Sequence, residues 1–562
     1  GPKTNFANSI LISGDAGTGT LNAAENNTGV GVGVFGALTT GDKNTAVGLS
    51  ALLANTTGHS NTAVGCGALV TNTTGHSNIS LGVNSLKLNQ TGYSNIAIGK
   101  DALSANTTGF NNVATGQSAL AANTEGEENV AVGFTALDAN TEGNSNVAVG
   151  SSALGANTTG GNNAAVGTAA LAANTTAANN TAFGHDSMKT NTTGASNTTV
   201  GQASLYANTT GLKNVATGRN VLTANTTGCC NTAMGFEALK TNTTANDNVA
   251  VGNVALKMNT TGANNTSLGA YSLQANTTGA SNVAVGQNAG DAMTTGSHNV
   301  IVGAEAFDTN TTGSYNVAIG KLALTANTTA ASNTTVGRKS MFGNTTGANN
   351  TATGAEALSA NTTGASNTAI GRYALVGNTT GEGNIGIGNY GGETNTTGSK
   401  NIFIGFATKG SAVNLGCQIV IGMANGATTG KGANTGFITP NGGAMYQGNN
   451  ATAWTQTSDR RIKKNIVDNN TGLDKINQIQ VRNFEYRTLD EITDFGEHKE
   501  SAVVEKEGVQ LGAIAQEIET ILPDVVITES TGVKSVDASN LTWYLINAVK
   551  ELSAKVKELE KK

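Results

Sequence analysis

The run Asn44-Thr-Ala-Val-Gly48-Leu-Ser-Ala-Leu52-Leu-Ala-Asn55-Thr-Thr-Gly58-His-Ser60 is followed at once by Asn61-Thr-Ala-Val-Gly65, and the pattern begins again. Its opening unit, nearly always Asn-x-Ala-x-Gly, recurs every 17 residues without insertion from Asn27 to Gly422, in 24 copies. A period this strict gives each copy the same structural task and makes it lean on its neighbours. The sequence therefore describes a stack of like coils.

Each coil can be numbered from its first residue, Asn in every copy except the last, where it is Gln418. Position 5 is Gly throughout. Position 4 is bulky and apolar, as in Val47, Ile98 and Phe183, or Thr, as in Thr115. Position 9 is usually Leu, and positions 12 to 15 usually read Asn-Thr-Thr-Gly. Alternation over positions 1 to 5 has the period of a short strand. Positions 2 and 4 are expected to fill the coil's interior. Positions 3 and 5, Ala and Gly, are expected to let the backbone of a neighbouring chain approach. Asn should stack on Asn in amide ladders that satisfy the turns. Helix is a poor alternative, since Gly, Asn and Thr at this density disfavour it. Coils stacked at the usual strand spacing give a rod of roughly 115 Å.

Composition agrees with two constructions. The chain has 562 residues, 74 Gly, three Pro and 12% charged side chains. Residues 435–562 nevertheless carry 15 of the 31 Lys and Arg and 19 of the 37 Asp and Glu, with both tryptophans. The expected organisation is an N-terminal cap or linker (1–26), a repeat shaft (27–434), a distal tip or linker (435–457) and an α+β domain (458–562). A net charge of −6 gives no reason to expect nucleic acid as partner. No run approaches the roughly 18 apolar residues of a membrane span. Gly1-Pro2 reads as the remnant of a protease-cleaved fusion. Cys66, Cys229, Cys230 and Cys417 have no disulfide or metal spacing and are expected to be free buried thiols. No metal or cofactor is expected.

The repeats, Asn-x-Ala-x-Gly followed by Ala-Leu, resemble the heads of trimeric autotransporter adhesins, left-handed β-rolls that associate as trimers. They also resemble the repeat shafts of phage tail fibres and related bacterial surface fibres. This resemblance implies a mainly β fold, a 24-coil parallel β-solenoid forming a homotrimeric rod.

Beyond the repeats stands Ser458-Asp459-Arg460-Arg461-Ile462-Lys463-Lys464-Asn465-Ile466. Further on come Leu511-Gly-Ala-Ile-Ala-Gln516-Glu517-Ile-Glu519 and Leu522-Pro523. Near the end, Leu545, Val549, Leu552, Val556 and Leu559 are spaced as a heptad seam, with Lys550, Glu551, Lys557 and Glu558 off it. Such a seam serves a coiled coil or packs on its own domain. Together these features resemble the intramolecular chaperone domain of phage endosialidase tailspikes and tail fibres, a self-cleaving serine peptidase domain of the S74 type. The resemblance implies Ser458 as nucleophile, Lys463 as general base and cleavage between Thr457 and Ser458. It assigns Asp459, Arg461 and Asn465 to local structure, with Gln516 and Glu517 as further motif positions. A hydroxyl attacks only when a base takes its proton, and Lys serves as that base only where burial lowers its pKa.

The expected function is a trimeric fibre for host or surface attachment, in a virion tail or at a cell surface, with a glycan or other receptor as partner. Its only catalysis would be its own cleavage. The alternative is a solenoid that binds ice or carbohydrate through stacked Thr and Asn. A depolymerase finds no paired carboxylates in the rod. The late departures from Leu at position 9 (Gly392, Lys409, Gly426) are expected to cap the solenoid rather than to form a binding site.

Overall fold

In the computed structural model the chain divides into two compact units, residues 1–457 and 458–562. The structure describes residues 8–12, 24–422, 428–439, 445–447, 460–494, 504, 506–528 and 532–562.

The first unit is a parallel β-solenoid. Each coil contributes one short strand, from Thr28–Val30 to Ile419–Gly422, and successive strands pair in parallel. The register is offset by 17 residues, as in Thr45↔Thr62 and Val215↔Thr232. His59, His76, Tyr93 and Phe110 stack one per coil with ring centroids 4.8 to 5.0 Å apart. That spacing is the ordinary distance between hydrogen-bonded strands.

The faces of the strand are the reverse of the sequence expectation. Ala at position 3 is fully buried, as are Ala at position 8 and Leu at position 9 (Ala46, Ala51, Leu52). Positions 2 and 4 point outward, and many of their side chains are exposed, among them Val64, Ile98, Phe183 and Val249. The reason is volume. A 17-residue coil encloses two Ala, one Leu and two Asn side chains, and leaves no room for a pair of β-branched residues as well.

Position 5 also differs from expectation in what it contacts. Its glycines have φ between 118° and 148° from Gly31 to Gly405. A Cβ at Gly201 would stand 2.4 Å from the Gly218 carbonyl oxygen. Within the chain, the close approach is therefore to the next coil. Leu at position 9 is left-handed as well, with φ of 53° at Leu69 and 49° at Leu103. That conformation costs about 1–2 kcal/mol for an L-residue. Full burial of the leucine side chain contributes roughly 1.5–3 kcal/mol and offsets it.

Two amide ladders run through the interior. At position 1, the Asn214 backbone N–H donates to Asn197 Oδ1 at 2.9 Å, and Asn214 Nδ2 donates to the Gly228 carbonyl at 2.9 Å. At position 12, Asn208 Nδ2 donates to Asn191 Oδ1 at 2.7 Å and to the Gly211 carbonyl at 2.9 Å. Asn225 Nδ2 then donates to Asn208 Oδ1. These side chains are fully buried, so their bonds replace water that cannot reach the turn. Asn208→Leu removes a donor and an acceptor from the middle of the ladder. It is expected to lower shaft stability by about 1–3 kcal/mol, read from denaturant unfolding.

Polar core residues come in matched sets. Ser80 and Ser85 bond to each other, Ser267 and Ser272 do so at 2.5 Å, and Thr199 joins Ser187 at 2.6 Å. Volume is matched between coils too. A Cβ at Gly392 would lie 2.5 Å from the Phe403 ring, so Phe403 at position 3 fills the space of the missing leucine. Gly392 is thus packing complementarity, not a cap. Lys409 pairs with Glu393 at 2.7 Å, and Gly426 lies outside the described residues.

Threonine at position 13 uses its hydroxyl internally: Thr56 Oγ1 donates to the Thr73 carbonyl at 3.0 Å. Position 14 (Thr57, Thr74, Thr91, Thr108) exposes its side chain on bends, where Glu125 and Glu142 interrupt the column, and Thr198, Thr334 and Thr351 are exposed on the outward strand face. The cysteines are free, but Cys66, Cys230 and Cys417 are exposed and Cys229 is half-buried. Their positions, 6, 16 and 17, face outward, which corrects the expectation of burial.

The stack continues past 434. Gly436–Thr439 pairs in parallel with Ile419–Gly422 at the same 17-residue offset. Met445–Gln447 then turns back antiparallel. The longer side chain of Gln418 closes the position-1 ladder, its Oε1 accepting from Ser411 N and Oγ at 3.1 and 3.0 Å.

Candidate functional site

The second unit is small and mixed. Two antiparallel strand pairs, Arg482–Phe484 with Gln510–Gly512 and Val526–Thr528 with Lys534–Val536, flank a helix at Ala515–Ile521. Pro523 follows that helix at once and opens a 3-10 turn. Ile518, Leu522 and Val525 form the core, with Ile479, Val536, Leu541 and Tyr544 packed on it.

The last helix, Ala538–Glu560, starts on Asp537, whose carboxylate accepts from the Ser539 and Asn540 backbone N–H groups. Its first turns are tied to the unit. Tyr544 donates to Asp524 at 2.5 Å, and this bond to the carboxylate is the largest cause of the raised phenol pKa. Asn547 Nδ2 donates to the Asn469 carbonyl at 2.7 Å. Gly472 allows the chain to pass close by, since a Cβ there would lie 2.2 Å from Ala548 N.

The heptad seam does not pack on this core. Leu545, Val549, Leu552, Val556 and Leu559 are 43–70% exposed, and Ala548 is the one buried residue of the helix. The described residues of the unit leave the seam uncovered.

Thr457, Ser458 and Asp459 lie outside the described residues, so the structure says nothing of the proposed nucleophile. A single 3-10 turn, Arg460–Ile462, precedes Lys463, whose N–H donates to the Arg460 carbonyl at 3.2 Å. Lys463 and Arg461 are exposed. The described residues of one chain do not bury Lys463. Asn465 is left-handed, with φ of 55°, which places it in a turn.

In the second motif Gln516 is exposed, while Glu517 has a specific partner. Arg482 donates through Nη2 to Oε1 at 3.0 Å and through Nε to Oε2 at 3.3 Å. The two-pronged pair ties the helix to the first strand pair. Sequence reasoning missed Arg482, Asp524, Tyr544 and Asn547. Each partner lies at least 16 residues away in sequence, and no local pattern signals such a pairing.

Residues 458–527 match the family model described as Peptidase_S74, chaperone of endosialidase. The match begins at Ser458, spans both motifs and stops before the terminal helix. No curated protein matches the chain. A solenoid of about 24 turns followed by such a segment fits a tail fibre with a C-terminal chaperone domain.

Proposed function

We propose that the chain is one strand of a homotrimeric fibre for attachment to a host or surface. Its C-terminal unit first brings three chains together and then cuts itself free between Thr457 and Ser458. The observation that carries this reading is the outward face of the solenoid. Positions 2 and 4 hold no Asp, Glu, Lys or Arg in any of the 24 coils, although both point away from the core. A contiguous apolar patch on a soluble monomer rarely exceeds a few hundred Å². Here uncharged columns follow the whole stack, position 4 mostly Val and Ile and position 2 mostly Val, Ile or, in ten coils, Thr, and a partner of equal length and equal spacing is another copy of the chain.

The exposed heptad seam supports the same reading, because two heptads of apolar side chains left in water call for partner helices. A uniform shaft also needs a register setter, since a slip by one coil preserves nearly every contact. Joining the chains at one end removes that freedom. Among the described residues no helix is long and apolar enough to cross a membrane. We place the assembled fibre in a virion tail or at a cell surface, with a glycan or other surface receptor as its target. The ice or carbohydrate alternative has less support, because the Thr column on bends offers no flat array and the Thr residues of strand position 2 are interrupted by Val and Ile.

The stripe can be tested directly. Val249→Lys with Val283→Lys puts charge on the outward face and leaves the coil's own core untouched. The double variant is expected to sediment as separate chains or to lose protease resistance in the middle of the shaft. Unaltered assembly would remove the stripe from the account.

A further inference from the structure

Coils 282–298 and 299–315 depart from the repeat at several points that meet in space. Position 12 of the first is Met293, fully buried where the ladder elsewhere has Asn. A thioether has no N–H to give, so Asn276 Oδ1 below it has no hydrogen-bond partner. On the other side Met293 offers no amide oxygen to Asn310 Nδ2, so that bond of the ladder is missing as well. Both amides are fully buried. Position 9 of the same coil is Gly290, at φ of 62°, and its place is filled by Ile301 of the next coil, 2.7 Å from where a Cβ would stand. Ile301 fills the missing leucine's space as Phe403 does at Gly392, but here the glycine falls in the coil whose amide ladder is interrupted, and it adds backbone freedom there.

Position 10 of the two coils is Asp291 and Asp308. Burial first, and then the Asp308 carboxylate, push Asp291 up to about 6. The column continues with Gln274 on one side and Thr325 on the other, both uncharged. The remaining titratable groups of coils 265–332 are Glu305 at position 7, three residues ahead of Asp308, and Tyr271, His298, Tyr315 and Lys321 in other columns. None places a cation in the column of the two carboxyls. Backbone pairing is kept on both edges: Val283–Val285 pairs with Val300–Val302 in the usual register, and the Gly290 and Ala292 N–H groups donate to the Ala306 and Asp308 carbonyls at 2.9 and 3.3 Å, so the interruption is confined to the side-chain ladder and the leucine column.

We propose that these two coils are a preset joint in the shaft. The edge carrying positions 9 to 12 parts there while the strand edge stays paired, and it parts more readily at neutral than at mildly acidic pH. The sign follows from linkage. The folded coil holds the Asp291 proton to a higher pH than an unfolded carboxyl does, so its stability falls as pH rises from the ordinary carboxylate range to about 6 and stays low above that. Protonation lets one carboxyl donate to the other; ionisation of both sets two half-buried charges against each other.

Hydrogen exchange on the full chain, corrected for intrinsic rates, tests this. At about pH 8, amides 290–294 are expected to be roughly ten- to hundredfold less protected than their counterparts 205–209. The deficit should shrink at about pH 5. Met293→Asn should restore at least roughly tenfold protection at both pH values, and Asp291→Asn should abolish the pH dependence while leaving the ladder gap. Equal protection at 290–294 and 205–209 in the unmodified chain, or no gain from Met293→Asn, overturns the joint. A pH dependence that survives Asp291→Asn overturns the part assigned to the carboxyl pair.

Discussion

Ser458→Ala is expected to leave the chain whole under conditions where the unmodified protein separates into a shaft ending at Thr457 and a fragment starting at Ser458. The reaction proposed is attack of the Ser458 hydroxyl on the carbonyl before it. Lys463 would take the hydroxyl proton and deliver it to the leaving Ser458 amine, which leaves Thr457 joined to Ser458 Oγ as an ester; water then hydrolyses that ester, freeing the Thr457 carboxylate and restoring the hydroxyl. Removing the hydroxyl removes the nucleophile itself, so the loss should be complete on a denaturing gel. Lys463→Ala leaves the hydroxyl without a base, a deficit of about 10²–10⁴-fold in rate. The two groups act as a unit, so the double variant should be no slower than Ser458→Ala alone. Asn465→Ala, which alters a turn residue, should cut at a rate much closer to that of the unmodified chain. N-terminal sequencing of the fragment fixes the bond. An Ser458→Ala protein cut at the original rate would remove the serine assignment.

The second large effect links assembly to cleavage. Val549→Glu with Leu552→Glu is expected to abolish both, although neither residue belongs to the proposed dyad. In the single chain these side chains are exposed, so the substitutions should not disturb the fold of one C-terminal unit. In a coiled coil they would place carboxylates at the seam from every chain, at a cost of several kcal/mol for each buried charge. Two heptads cannot offset that. Lys463 is exposed among the described residues of one chain, and a catalytic lysine is favoured by burial. If association supplies the burial, then chains that cannot associate cannot cut. A variant that stays monomeric yet cleaves normally would separate the two steps and place the activation of Lys463 within one chain.

Much of the architecture was legible in the 17-residue period. It announced a solenoid, one strand per coil and buried Asn ladders, and the stacking of Asn208 on Asn191 is what it led one to expect. The faces were not legible, because alternation says that two sets of side chains point opposite ways and not which set is inside. Bulk suggested Val and Ile. The answer turned on how little a thin coil can hold, which the fully buried pair Ala51 and Leu52 already fills. The strand Gly436–Thr439 escaped notice because Thr435-Gly-Phe-Ile-Thr439 keeps the spacing but loses Asn, Ala and Gly together. Long-range matching was hidden for a different reason. Gly392 with Phe403 and Ser187 with Thr199 lie in adjacent coils, and a coil read alone shows only a departure from the pattern. At the C-terminus the motif residues stood out, while Arg482, the partner of Glu517, sits 35 residues from it.

The claim beneath all of this is that the outward Val and Ile columns are covered by further copies of the same chain. The mass of the processed shaft in dilute solution, by light scattering or native mass spectrometry, measures that most directly. Three copies per particle is the expected result, persisting after the C-terminal fragment has left. A soluble, folded shaft with the mass of one chain would contradict it.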